Sequence, residues 1–254
     1  MIKANDRGLL LGDGLFETVL WENGVLAAFD AHANRLIAGC ATLGLPAPDA
    51  EALNAAAMMA IADYSLEDTR AAVRLTWTAG SGGGGLDRPT QIAPRLIATA
   101  AGSLKPTTPA RLIVSTIRRN EGSPVSRLKS LAYLDNVLAR REARAAGADE
   151  ALMLNNRGEI ACAAAANVFW FEGETLVTPA LECGVLDGIM RAAVIERARA
   201  MGWAVRETRA PLAALDDARG SFLTNSLIGV RGIERLGGRD IVAHPHFTKL
   251  AGSS

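Results

Sequence analysis

Residues 126–152 read SRLKSLAYLDNVLARREARAAGADEAL. Leu131, Leu134, Val137, Leu138 and Arg141 recur at helical spacing, which predicts an amphipathic helix from Ser130 to Ala146 with Gly147 as its C-cap. A strand is expected at about 150–155, and the run from Ala110 to Thr116 reads as a strand ahead of the helix. Strand, helix and strand in succession point to a mixed α/β chain.

The alternation continues outward in both directions. The stretch from Leu9 to Phe29 predicts two strands joined by a hairpin turn at Glu22-Asn23-Gly24. Helices are expected over about 31–43, with Asp30 as N-cap and Gly44 and Pro46 as its stop, and over about 50–64. Strands at 71–78 and 91–101 flank Gly80–Gly85, which reads as a flexible loop. Further strands are expected at about 167–172, 175–177, 205–209 and 221–224, with helices at about 188–201 and 211–218. The run GSLKPTTP, starting at Gly102, reads as a linker. It predicts an N-terminal α/β domain over 1–102, a linker over 103–110 and a C-terminal domain over 111–254.

Composition narrows the function classes. The chain has 254 residues, 49% of them apolar, with Lys+Arg and Asp+Glu at 27 each. A nucleic-acid binder draws its affinity from a basic excess, which is missing here. The longest strongly apolar stretch, about 161–171, is too short to span a bilayer, and the first residues lack the apolar core of a signal peptide. Cys40, Cys162 and Cys183 are odd in number and widely spaced, so no disulfide framework or structural metal is expected. These features predict a cytoplasmic protein with no nucleic-acid or membrane partner.

Only four of the 27 basic residues are lysines: Lys3, Lys105, Lys129 and Lys249. Lysine can form a Schiff base and arginine cannot, so any amine chemistry rests on these four. Lys3 and Lys249 lie near the termini and Lys105 in the linker. Lys129 alone sits at a loop-to-helix junction inside the body. Confinement there can depress its pKa and make it a nucleophile or base, although a surface lysine at a helix start has the same position. Two further segments suit an anion. A helix beginning near Asp187 or Gly188 offers free N–H groups, or either residue is a plain N-cap. Ser221–Ser226 ends a strand with several hydroxyl and amide donors, or is simply a turn. GSGGGG lacks the Lys-Ser/Thr of a phosphate-binding P-loop. Cys162, among alanines, reads as a small buried residue or a nucleophile.

Several segments, taken in order, resemble one family. They are DRGLLLGDGLFETV (Asp6–Val19), HANRL (His32–Leu36), RLKSLAYLDNVLARREARAAGADEAL (Arg127–Leu152), NVFW from Asn167, Thr178-Pro179, VLDGIMR from Val185 and FLTNS from Phe222. The set is similar to the class IV aminotransferases, fold type IV enzymes that use pyridoxal 5'-phosphate. These include branched-chain and D-amino-acid aminotransferases and aminodeoxychorismate lyase. The resemblance implies an α/β (α+β) fold with an N-terminal α/β sandwich domain and a C-terminal pseudobarrel domain, the cofactor between them, and a homodimer. It makes Lys129 the Schiff-base lysine and proton shuttle. It assigns the cofactor phosphate to Arg35, to the Gly188 helix start with the Ile189 and Met190 backbone N–H groups, and to Thr224. Tyr133 is placed near the ring side.

One position departs from the pattern. The family has a glutamate five residues before the Asn of its N-x-F element, paired with the protonated pyridine nitrogen. In this chain that position is Cys162. Glu159 as a substitute and an ionised Cys162 are the two ways a negative charge could be kept. Loss of the carboxylate weakens the electron sink, which should harm transamination more than an elimination that creates an aromatic ring. TAGSGGGGLD (Thr78–Asp87) is also similar to the glycine-rich loop of the lyases, with Gly84 where an arginine is frequent. The resemblance therefore implies a small amine or amino-acid substrate, with 4-amino-4-deoxychorismate lyase as the favoured activity. An aminotransferase for D-amino or branched-chain amino acids is the alternative, and a cofactor-binding protein with little catalysis is the third.

Overall fold

The computed structural model describes residues 2–251. The chain packs as two units. The first takes the chain up to Leu104 together with Leu128–Ala132; the second takes Lys105–Arg127 and the chain from Tyr133 onward. Where one continuous stretch from 111 was expected, five residues around Lys129 therefore belong with the N-terminal unit.

The first unit is a four-stranded antiparallel sheet covered by helices. Its strands are β1 (Gly14–Glu22), β2 (Val25–Leu26), β3 (Ala71–Thr78) and β4 (Arg95–Gly102), in the order β2-β1-β3-β4. The expected hairpin turn is present: Asn23 and Gly24 both have positive φ, as a two-residue turn between twisted strands requires. Leu9–Leu11, expected in a strand, instead lie in a five-residue helix, α1 (Arg7–Leu11). The Asp6 carboxylate caps it by accepting from the Gly8 N–H, and Gly12 in the left-handed region closes it. Helix α2 (Phe29–Leu43) starts after Ala28 and has no side-chain cap, so Asp30 falls in its first turn instead of at the N-cap. There its carboxylate still complements the helix dipole. Gly44 ends α2 as expected, and α3 (Ala50–Asp63) is capped by Asp49. The helices bury Leu36, Cys40, Leu53 and Ile61 against Leu15, Val19, Val73 and Leu75 of the sheet. Strand alternation thus commits the odd-numbered residues of β1 to this core.

The glycine loop is not free, contrary to the expectation from its composition. Arg7 donates to the carbonyls of Leu86 and Asp87 at 2.8 and 2.9 Å. Asp13 accepts from both Arg7 and Arg88, and Thr78 links the loop base to Asp6. Gly80 and Gly83 both have positive φ, and a Cβ at either would collide with a carbonyl, of Ala93 and Asp87 respectively. The glycines permit a tight tethered path.

The second unit is a nine-stranded mixed sheet. Its strands are β5 (Ala110–Val114), β6 (Glu150–Leu154), β7 (Ile160–Ala163), β8 (Asn167–Glu172), β9 (Thr175–Pro179), β10 (Val205–Thr208), β11 (Arg219–Asn225), β12 (Gly229–Leu236) and β13 (Arg239–Asp240). The order is β10-β9-β8-β11-β12-β5-β6-β7, with β13 paired to β12. Helices α4 (Leu134–Ala145), α5 (Ile189–Ala200) and α6 (Phe247–Ala251) accompany it. Helix α4 starts four residues later than expected, because Ser130 and Leu131 are held extended against β1. Its buried face also differs. Asn136, Ala139 and Ala143 face inward, while Leu134 and Val137 are 67% and 57% exposed. Its alanines share a cluster with Ala151 and Met153 of the neighbouring strand β6, so the helix makes the contact with its small residues and not its large apolar ones. Among the described residues no helix is long and apolar enough to cross a membrane, and no side-chain group could hold a metal ion.

Gly14 shows how tightly the Lys129 segment is fitted. A Cβ there would collide with the Trp77 carbonyl and lie 2.9 Å from the Leu131 side chain. Gly14→Ala should destabilise the protein by about 2 kcal/mol, as overpacking typically does. Gly102→Ala, where a Cβ meets nothing within 4 Å, should stay within about 0.5 kcal/mol. Denaturant unfolding of the two variants checks this; equal stability would contradict the tight fit at Gly14.

Candidate active site

Within the first unit the candidate groups gather on and around β1. The segment 128–132 adds to the edge of β1 that β2 leaves open. The Phe16 N–H donates to the Lys129 carbonyl at 2.9 Å, and the Leu131 N–H to the Gly14 carbonyl at 3.0 Å. Ser130 lies opposite Leu15. The Lys129 Nζ stands 4.3 Å from the centre of the Phe16 ring, and the Arg74 guanidinium 3.8 Å from the same ring. Burial pushes the Lys129 amine down to about 8; Glu17 opposes that shift, and Arg35 and Arg74 reinforce it. A lysine so placed keeps a usable neutral fraction near neutral pH.

Glu17 is a buried carboxylate that the sequence reading passed over. It accepts from His32 Nδ1 at 2.7 Å, and from Arg35 Nε and Nη2 at 2.8 and 2.6 Å. Burial alone would raise its pKa, but the bonds and charges of Arg35 and His32 outweigh burial and hold it below the usual range. The two-point contact orients the Arg35 guanidinium. A sequence signal for Glu17 existed: alternation places it on the same face as Leu15 and Val19, where a carboxylate needs partners. Arg74 and Phe16 could be joined only through the β1–β3 register, which pairs Phe16 with Thr76 and Thr18 with Arg74.

Within the second unit a separate set converges on the start of α5. Gly188 is its N-cap and no side chain caps it. The Ile189 and Met190 N–H groups are first-turn donors without an intrahelical acceptor. The Asn167 side chain donates to the Leu186 carbonyl at 2.9 Å and leaves no room for a Cβ on Gly188. Thr224 lies opposite Asn167 in the β8–β11 pair. Its hydroxyl is fully buried and has no protein partner. An orphaned hydroxyl beside an uncapped helix start fits a phosphate group. Tyr133, partly buried, is the residue preceding α4.

Cys162 lies on β7 opposite Met153 and is buried with Ala161, Cys183 and Val185. Burial pushes its thiol up, so an ionised Cys162 is not supported. Glu159 does not replace the missing carboxylate. It accepts from Asn155 at 2.7 Å and from Arg209 at 3.0 Å.

Residues 14–236 match the family described as amino-transferase class IV. The chain is 32% identical to the aminodeoxychorismate lyase of Bacillus subtilis over 89% of its own length and 78% of that protein. It is also 32% identical to a putative branched-chain-amino-acid aminotransferase of Methanocaldococcus jannaschii, over 94% and 84%. A solved putative 4-amino-4-deoxychorismate lyase of Legionella pneumophila superposes with a TM-score of 0.92 at 30% identity, covering 99% of this chain and 93% of the other. These likenesses identify the fold as type IV, a small N-terminal sheet domain and a curled mixed-sheet C-terminal domain.

The electrostatics around Lys129 give a sign that can be measured. In the cofactor-free protein, the rate at which an amine-selective arylating reagent labels Lys129 should rise with pH through a midpoint of about 8, since only the neutral amine reacts. Glu17→Gln removes an anion that favours the ammonium form, so the midpoint should fall. Labelling followed by peptide mass spectrometry reads both. A wild-type midpoint at the ordinary lysine value would refute the buried-amine account.

Proposed function

The chain belongs to the class IV aminotransferase family, whose enzymes use pyridoxal 5'-phosphate, and we propose that it is a 4-amino-4-deoxychorismate lyase releasing pyruvate and 4-aminobenzoate. The observation that carries the family chemistry to this chain is Lys129, a half-buried amine held near pKa 8 beside Glu17, Arg35 and Arg74. The orphaned Thr224 hydroxyl and the uncapped start of α5 support cofactor binding.

In this proposal Lys129 attaches the cofactor. On the first unit Arg35, oriented by Glu17, is a phosphate-binding cation, and on the second the Ile189 and Met190 amides and Thr224 are phosphate-binding donors, roles that follow from the family resemblance. Gly188 keeps that helix start open, Tyr133 lies by the ring, and Cys162 takes the ring-nitrogen end. When bound, the cofactor withdraws electrons from the carbon bearing the substrate amine, so that its proton can be removed. The Lys129 amine, freed when the substrate amine takes its place, would take that proton from the carbon bearing nitrogen and deliver one to the methylene carbon of the departing three-carbon fragment, which leaves as pyruvate, a task suited to a base whose pKa lies near the working pH. Arg74, stacked on Phe16 next to Lys129, offers a cation to a substrate carboxylate.

The lyase is favoured over the transaminase by the neutral thiol at Cys162. Elimination of pyruvate creates an aromatic ring, so the product itself supplies driving force and the reaction tolerates a weaker sink. The equal identity to a relative named as a putative branched-chain aminotransferase supports the second reading, a transaminase for branched-chain or D-amino acids.

Cofactor-loaded protein should form 4-aminobenzoate from aminodeoxychorismate, and Lys129→Ala should lose at least about a thousandfold of that rate, as removal of a nucleophile and base does. A yellow protein that gives no product but exchanges amino groups between amino and keto acids would establish the second reading. A protein that binds the cofactor and does neither would point to a binding role. The proposal includes a homodimer, supported by Leu9 and Leu10 on α1, which are 66% and 62% exposed. Light scattering should therefore give twice 26.6 kDa; a monomer mass would reject it.

A further inference from the structure

The second unit carries a buried charge that the proposed mechanism does not use. Arg119 pairs through its backbone with Asn155, on one side of β6, while Cys162 pairs with Met153 on the other. The guanidinium is buried. Its Nε donates to the Gly184 carbonyl at 3.3 Å, Nη1 to Asn136 Oδ1 at 3.1 Å, and Nη2 to the Ser126 carbonyl. All three acceptors are neutral, and among the described residues no carboxylate lies within ion-pair distance of Arg119. Each guanidinium nitrogen has an acceptor, and none of those acceptors carries a charge.

Nearby carboxylates are committed elsewhere. Glu150 accepts from Arg140 at 2.6 Å and from the Ala151 N–H at 2.9 Å. Glu159 is held by Asn155 and Arg209. At Cys162 burial raises the thiol, and of the two charges that reach it Arg119 acts more strongly than Glu150. The thiol therefore lies in an apolar setting that the Arg119 charge reaches more strongly than the Glu150 charge.

Resting on the proposed function, which puts the cofactor ring nitrogen at Cys162, we propose that this chain holds that nitrogen unprotonated, with the Cys162 S–H as its hydrogen-bond donor and the Arg119 cation opposing a second positive charge. The chemistry of the groups is matched. A neutral thiol can donate weakly, and an unprotonated pyridine nitrogen can only accept. A proton on the nitrogen would add a second cation to a low-dielectric interior that the Arg119 charge already reaches, where the one carboxylate that also acts, Glu150, acts more weakly and is paired with Arg140. Arg119 acts here as a positioning and electrostatic residue, through space and through Cys162.

The test is nitrogen-15 NMR of the full chain at neutral pH, reconstituted with pyridoxal 5'-phosphate labelled at the ring nitrogen. The wild-type resonance is expected at the position of the unprotonated ring, as in the free cofactor at alkaline pH. Cys162→Glu is expected to move it to the protonated position. A protonated wild-type ring would overturn the inference, and so would a Cys162→Glu ring that stays unprotonated. Where Cys162→Glu fails to fold, the wild-type spectrum decides alone. A chain that takes up no cofactor would sink the proposed function instead, so the two failures are distinct.

Discussion

Two backbone hydrogen bonds organise the candidate site, from Phe16 to the Lys129 carbonyl and from Leu131 to the Gly14 carbonyl. They seat five residues of the later chain on an open edge of the N-terminal sheet. Without them Lys129 would begin a surface helix and titrate as an ordinary lysine. With them it lies over Phe16, partly withdrawn from water and flanked by Glu17, Arg35 and Arg74. Gly14 makes the approach possible because it lacks the atom that would collide with the Trp77 carbonyl.

The charges of the first unit are balanced around that placement. The buried carboxylate of Glu17 is shared by His32 and Arg35. Its anion tempers the depression of the Lys129 pKa that burial and two guanidiniums impose. On the same unit Asp13 joins Arg7 and Arg88, and Arg7 in turn holds the glycine loop. Buried charges survive in such settings only when paired or fully hydrogen-bonded, and each arginine here does both tasks at once.

The second unit uses small residues and polar side chains to the same end. The turn at Ala164–Ala165 separates Cys162 from Asn167. Asn136 donates to the Ala164 carbonyl and Asn225 to the Ala165 carbonyl, while the Ala164 N–H donates to the Ala151 carbonyl. Two side chains, from α4 and β11, and a backbone carbonyl of β6 thereby fix a stretch that has no functional side chain of its own. At its far end Asn167 secures Leu186, two residues ahead of the Gly188 helix start.

The sequence by itself determined much of this. The sequence reading placed the strands β3 and β8 to the residue, and glycine and proline placed the end of α2. Ordered motifs identified the family, and the scarcity of lysine singled out Lys129. It misjudged α1, where a capping aspartate makes a helix of three leucines, and α4, whose buried face is alanine and asparagine. It missed β7 and β12, which are alanine-rich or charged and carry little alternation. Only the tertiary structure decided that Lys129 packs with the N-terminal unit, that Glu17 serves Arg35 and His32, and that Arg119 stands without a carboxylate. The reason is physical: local propensity and periodicity act over a few residues, whereas strand pairing and buried charge depend on groups far apart in the chain, whose encounter no short window of sequence records.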